Sequence, residues 1–332
     1  MVELETVLVL GAGASKDFGF PTGKDLVTRI CDMLRNQENK EYKMFYECAD
    51  RLNLEAATYF ADHLAGAPTP SVDAWLEQNP TFIQVGKIAI AIALLCYEQT
   101  AKRSRPKNNW YELLFDRLRS PFDEFQHNKL SIITFNYDRS LEEFLFKSFR
   151  HTHSQKSEQE CRHKLNKLEL LHVYGSLGRL EWQFDDPENP LVQIPHGAKL
   201  DSDRVICAAN NIKIMPEDQE LSTEFRKART WLRNSQAIYF LGFGYHKNNM
   251  IRLGTHMLHK HQKIMGTCSG LDFQRISEVE RLGITGLHRN LGLHRKRVYE
   301  FLHDYVDFNN SGYPRLLPPS AVSSNRVSCL ML

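Results

Sequence analysis

The sequence predicts an α/β fold, a Rossmann-like parallel sheet with a helical insertion lobe. Four short apolar runs, far apart in the chain, each end in a glycine-rich or polar motif. From residue 130 onward, strand-like runs alternate with helical patterning, as they do in a parallel sheet joined by crossover helices. Ligands of an open parallel sheet sit outside the carboxyl ends of its strands, so four such ends point to one crevice.

Thr6-Val7-Leu8-Val9-Leu10 reads as the first buried strand, and Gly11-Ala12-Gly13-Ala14-Ser15 as the turn that leaves it. Glycines there permit close approach of backbone to a pyrophosphate, although Lys16 stands where the third glycine of a dinucleotide fingerprint would be. A helix is expected from Gly23 or Lys24, with Leu26, Ile30, Met33 and Leu34 at helical spacing. Phe45, Cys48, Leu52 and Leu54 continue that pattern more loosely, and Ser71 is suited to cap a helix through Trp75 and Leu76. Residues 86–98 are apolar on nearly every face, which predicts a buried helix. Residues 24–124 are therefore read as the insertion lobe, 1–23 with 125–312 as the discontinuous core, and 313–332 as a tail.

In the core, residues 130–133, 168–171 and 236–240 read as strands, with a further run at Lys263-Ile264-Met265. The first of these leads into Thr134-Phe135-Asn136-Tyr137-Asp138. In extended chain Asn136 and Asp138 project to the same side. An amide and a carboxylate together can hold a ribose hydroxyl, a water and a carboxamide; alternatively they cap a helix starting near Arg139. The second leads into His172-Val173-Tyr174-Gly175-Ser176, whose imidazole has a pKa suited to proton transfer near neutrality, unless it is structural. The third leads into Gly242-Phe243-Gly244-Tyr245 with Asn249, and Gly266 and Thr267 follow the last run. These glycines suit phosphates or riboses, or ordinary turns. Residues 154–164 are polar and read as an exposed loop, and His256, His259 and His261 as part of a basic helix.

Composition narrows the function classes. A charged fraction of 25% and a net charge of +2 give no global reason to expect nucleic acid or an anionic membrane as the ligand. The basic run at residues 102–107 is short and interrupted by proline, as in a solvated loop. The apolar stretch at 88–96 is about half the ~20 residues of a membrane span. Seven cysteines, at 31, 48, 96, 161, 207, 268 and 329, form no Cys-x-x-Cys pair, so no zinc ribbon is visible. The odd, scattered set, with no leading signal peptide, leads us to expect a reducing cytoplasm. Cys329-Leu330-Met331-Leu332 matches a prenylation box by form, but lacks the usual upstream polybasic segment.

Taken together, residues 11–15 with Gly19-Phe20-Pro21-Thr22-Gly23, residues 134–138, 172–176 and 241–245 with Asn249 resemble the sirtuin-like (silent information regulator type) family, specifically its bacterial antiphage-defence branch. Ser71-Val72-Asp73-Ala74-Trp75-Leu76 and Gly86-Lys87-Ile88-Ala89 also look like that branch, and the resemblance spans about residues 5–275. It implies an NAD site in which Asn136 orients ribose and water, Asp138 grips the nicotinamide carboxamide and His172 acts as base. It also implies cofactor contacts from Gly11, Ala12, Gly13, Ser15, Pro21, Thr22, Gly175, Ser176, Gly242, Gly244, Tyr245, Asn249, Gly266 and Thr267. Deacylating members carry a four-cysteine zinc module and a Pro-Asp-Phe-Arg segment; here there are no cysteine pairs, and Pro21-Thr22-Gly23-Lys24 stands instead. The resemblance therefore implies a metal-free NAD hydrolase that depletes the cofactor in abortive infection, as a homo-oligomer with a separate activator. A HerA-type ATPase is the expected partner, and an Argonaute-type protein the alternative. A protein deacylase, an ADP-ribosyltransferase and a non-catalytic NAD or ADP-ribose sensor remain open.

Overall fold

A computed structural model describes residues 1–50, 54–69, 71–101, 106–183, 193–215, 221–259, 261–281 and 291–309. The tail and its final cysteine, Leu52, and most of the basic run at 102–107 lie outside the described residues.

Among the described residues the sheet has six strands: β1 Thr6–Leu10, β2 Leu130–Thr134, β3 Glu169–His172, β4 Ala237–Leu241, β5 Lys263–Thr267 and β6 Leu291–His294. All pair in parallel in the order β3-β2-β1-β4-β5-β6. The order reverses between β1 and β4, the place where a doubly wound sheet opens a crevice. Register brings four strand ends level, since Leu10 lies opposite Thr134 and Leu241, and Thr134 opposite His172. β1 and β4 are buried along their whole length, as continuous apolar runs covered on both faces should be. β3 and β4 run one residue later than the sequence suggests, and Thr134 completes β2. Gly266 and Thr267 belong to β5 itself, and β6 was not foreseen.

Among the described residues, six helices connect β1 to β2 after the short α1 Ala12–Ser15: α2 Gly23–Arg35, α3 Lys40–Asp50, α4 Leu54–Ala65, α5 Val72–Gln78, α6 Ile83–Ala101 and α7 Trp110–Leu118. Then come α8 Ser140–Thr152, α9 Glu158–Leu165, α10 Ser202–Asn211, α11 Thr223–Asn234, α12 Lys247–Leu253, α13 Phe273–Arg281 and α14 Val298–Tyr305. The segment read as an exposed loop at 154–164 is in its second half α9. Ser157 Oγ accepts from Glu160 N, Glu160 Oε2 accepts from Ser157 N, and Cys161 and Leu165 are buried. His256 lies in a short 3-10 turn, and His259 and His261 follow it with their rings stacked, so the three share no helix.

Among the described residues α6 is the longest helix, and the window Pro80–Ala101 is long and apolar enough to cross a membrane by length and composition. More than half of that window is buried against protein, with α3, α5 and α10 packed around it. The helix accordingly serves as the core of the helical layer. That layer shares one continuous hydrophobic core with the sheet. Glu98 of α6 pairs with Arg139 before α8 at 2.6 Å, both side chains being essentially inaccessible, and Arg139 Nη1 also donates to the carbonyl of Ile194 at 2.6 Å. Trp110 Nε1 donates to Ala14 O at 2.8 Å, so α7 is pinned to the first glycine loop.

Candidate functional site

The carboxyl edge of the sheet opens into a cavity of about 740 Å³. That is within the ~300–1,000 Å³ usual for small-molecule sites. Gly11, Ala12, Gly13, Thr22, Asn136, Gly242, Gly244, Asn249 and Thr267 line it, so nine expected site residues meet across the switch point.

The glycines there do more than clear space for a ligand. A Cβ on Gly11 would lie 2.7 Å from Gly242 O, and one on Gly13 2.9 Å from Gly242 Cα. Gly242 has φ +56°, and a Cβ there would fall 2.1 Å from Ala14 N. The loops after β1 and β4 thus touch backbone to backbone, which only glycine permits. Gly11 N donates to Leu241 O at 3.0 Å and Gly13 N to Gly242 O at 2.9 Å. Gly242 N donates to Thr267 Oγ1 at 2.8 Å, so those three amides are spent on the scaffold. The expectation that the first glycine loop cradles a pyrophosphate through Gly11 and Gly13 is corrected accordingly. The start of α2, at Thr22, Gly23 and Lys24, also lines the cavity. There the first-turn amides lack partners within the helix, and Asp25 caps Thr22 through its N (3.1 Å) and Oγ1 (2.6 Å).

Asn136 stands between the cavity and a water-sized pocket of about 10 Å³ beneath it. Its Nδ2 donates to Gly11 O at 3.1 Å and Ser15 Oγ at 3.0 Å, which leaves the amide oxygen for other contacts. Ser15 and Asp138 line only the lower pocket. Asp138 Oδ1 accepts from the Ser140 amide at 3.2 Å and from its hydroxyl, so its carboxylate holds the first residue of α8. Burial raises the pKa of Asp138, against the Ser140 and Ser15 bonds and with help from nearby Glu142.

His172 is turned away from the cavity. Its Nδ1 is 2.7 Å from Asn136 O and its Nε2 2.6 Å from Glu142 Oε1, both acceptors, so only the doubly protonated imidazolium satisfies both. Burial opposes that charge, but the Glu142 carboxylate and the Asn136 carbonyl outweigh it and hold the pKa above the ordinary histidine value. A ring with both nitrogens held by Asn136 O and Glu142 Oε1 presents no free lone pair to the cavity. The expected base is instead a clamp on the Asn136 backbone.

Other expected contacts have scaffold roles in this geometry. Gly175 has φ +75°, and a Cβ on it would strike Asn211 O at 1.9 Å. Ser176 Oγ turns back on Gly178 O at 3.2 Å. Tyr245, a non-glycine residue at φ 51°, is buried and donates from its hydroxyl to Thr267 O at 3.1 Å. Gly266 gives that ring room, since a Cβ would sit 2.1 Å from Tyr245 Oη. Pro21 is not among the lining residues and only leads into the start of α2.

Several lining residues were missed by the sequence reading. Phe135 and Tyr174 meet edge to face at 5.6 Å, next to Asp73 and Glu77 of α5. Tyr174 Oη donates to Asn249 Oδ1 at 2.7 Å and accepts from Arg252 Nη1 at 2.5 Å. Arg252 Nη1 also bonds Glu77 Oε1 at 2.6 Å. Tyr137 Oη donates to Asp73, whose carboxyl is pushed above its usual range by burial, against that hydrogen bond. On the far side stand Lys247, Arg275, Lys296 and Arg297. Tyr174, Phe135 and Asp73 stood in motifs on view in the sequence; Glu77, Lys247, Arg275, Lys296 and Arg297 carried no motif.

The cavity is therefore polar in two senses: an aromatic and carboxylate wall beside Asn136, and a basic wall at the ends of β4–β6. Among the described residues no three His, Cys, Asp or Glu side chains converge as a metal site. No protein-family model matches the chain, and no curated protein matches it.

Proposed function

We propose that the chain binds NAD+ and hydrolyses its N-glycosidic bond, giving nicotinamide, ADP-ribose and a proton. The observation that carries this reading is the two-sided cavity at the switch point. Nicotinamide in NAD+ is a cationic aromatic ring, which aromatic faces and carboxylates attract. Phe135 and Tyr174 supply the aromatic faces of that wall beside Asn136, and Asp73 and Glu77, bonded by Tyr137 and Arg252 respectively, supply its acidic groups. The pyrophosphate then lies toward the start of α2, with Lys16 and Lys24 close by and the helix dipole favourable to anions.

Cleavage passes through an oxocarbenium-like centre and releases neutral nicotinamide, a good leaving group. Little covalent work is left to the protein. Asn136 holds the ribose and the attacking water with its amide, which is the positioning contribution. His172 and Glu142 keep the Asn136 backbone in place, and the water's proton passes to solvent. Asp138 supports the same strand end from below.

The sirtuin-like resemblance of the motifs supports this reading and extends it to a cofactor-depleting effector of bacterial antiphage defence. On that reading the chain is cytoplasmic and metal-free, and is set to work by oligomerisation and a partner such as a HerA-type ATPase or an Argonaute-type protein. One observation favours a second reading. Asn136 Nδ2 is already committed to Gly11 and Ser15, as in a resting or purely binding site. Chromatography of purified protein incubated with NAD+ tests both. Equal release of nicotinamide and ADP-ribose is expected; unchanged NAD+ that nonetheless binds would favour the sensor, and ADP-ribose found on protein a transferase.

A further inference from the structure

In the proposed orientation the nicotinamide lies against Asn136, so the adenosine half lies over the ends of β4, β5 and β6. The walls there carry Lys247 at the start of α12, Arg275 of α13, and Lys296 and Arg297 between β6 and α14. Three carboxylates line the cavity among the described residues, Asp17, Asp73 and Glu77, and all come from α5 or from the segment after α1. In nicotinamide dinucleotide sites an acidic residue bonds the 2′-hydroxyl of the adenosine ribose, whereas a cation there accommodates a 2′-phosphate. This end of the cavity carries the second kind of wall.

The cations also exceed what a pyrophosphate needs. Arg275 is partly engaged, by Glu278 at 2.5 Å and Tyr245 O at 3.2 Å, and Arg297 loosely by Asp17 at 3.9 Å. Lys247 and Lys296 have no carboxylate within 4.0 Å among the described residues. In the proposed orientation the pyrophosphate is left to Lys16 and Lys24, which line the cavity with the start of α2. Among the described residues, two ammonium groups at the adenosine end thus have no carboxylate within 4.0 Å, and both border the cavity.

We propose that this basic wall is a subsite for a third phosphate, on the 2′-oxygen of the adenosine ribose, so that the preferred ligand is a 2′-phosphorylated nicotinamide dinucleotide. The inference rests on the dinucleotide reading above, and its test uses probes with no scissile nicotinamide bond. Calorimetric titration compares adenosine 5′-monophosphate, adenosine 2′,5′-bisphosphate and adenosine 3′,5′-bisphosphate. The 2′,5′-bisphosphate is expected to bind at least about 10-fold more tightly than the monophosphate, as charge-assisted contacts allow. The 3′,5′ isomer should show a smaller gain. In the double variant Lys247→Ala with Lys296→Ala the ratio of bisphosphate to monophosphate affinity should fall toward one, with monophosphate binding reporting an intact fold. Equal binding of monophosphate and 2′,5′-bisphosphate would overturn the subsite while leaving the dinucleotide reading standing. Equal gains from both isomers would mean general charge attraction and would also overturn it. If no adenosine nucleotide binds, the dinucleotide reading itself has failed and the subsite with it.

Discussion

Asn136 and His172 divide the work that the sequence assigned to them separately. Asn136 faces the cavity, and His172 holds the Asn136 backbone from behind with help from Glu142. This division predicts the direction of a pH effect. The folded-state pKa of His172 is raised, so its stabilising contribution is fully present below the unfolded histidine value of about 6.5 and is lost as pH rises through the folded value. Activity set by the clamp should therefore fall as pH rises through that range, whereas a histidine base would make it rise. Glu142→Gln removes the largest force raising that pKa and should move the fall to lower pH; kcat/KM profiles of both proteins check this. A profile that rises with pH and is unmoved by Glu142→Gln would return the base role to His172. What was legible here was the residue type and its place at a strand end. Which way the ring turns was not, because it depends on Glu142, 30 positions back in the chain, on a different element.

The loops after β1 and β4 form one unit, in which three glycines let two backbones touch. Gly242→Ala places a Cβ on a residue at φ +56° and against Ala14 N. A loss of about 1–3 kcal/mol is expected from backbone strain alone, read from chemical unfolding, together with loss of nucleotide binding. Unchanged stability would mean the two loops move apart freely. Strand ends were readable in sequence because each glycine or polar motif follows an apolar run, and β1, β2, β3 and β4 were all found that way. β6 escaped because Leu291-Gly292-Leu293-His294 is short and broken by a glycine, at the edge of the sheet. α9 escaped although Ser157 and Glu160 spell a capping box, since only Cys161 and Leu165 of the helix are buried. Lys296 and Arg297 follow β6, so missing the strand also hid the basic wall.

The helical layer and the sheet share one core, and their joint is the buried pair Glu98–Arg139. The sequence showed a helix apolar on nearly every face at 86–98, but not that it packs on α10 or sends Glu98 to the segment that carries Asn136. Glu98→Ala leaves Arg139 charged and buried, and should cost about 3–5 kcal/mol in chemical unfolding, as broken buried pairs do. If the layer also carries regulation, nicotinamide release per chain should depend on protein concentration and on a partner, because either can bias the resting arrangement of Asn136. Rates constant across a wide concentration range, with and without a candidate activator such as a HerA-type ATPase, would argue against that control. The claim on which the rest depends is that this cavity breaks the bond between nicotinamide and ribose with Asn136 at the point of attack. Nicotinamide release from NAD+ or its 2′-phosphorylated form, measured for the wild-type chain and for Asn136→Ala under activating conditions, tests it most directly. Release by the wild type is expected, with a loss of about 10²-fold or more in a variant that still folds and binds nucleotide; equal release by both proteins, or none by the wild type, would contradict that role for Asn136.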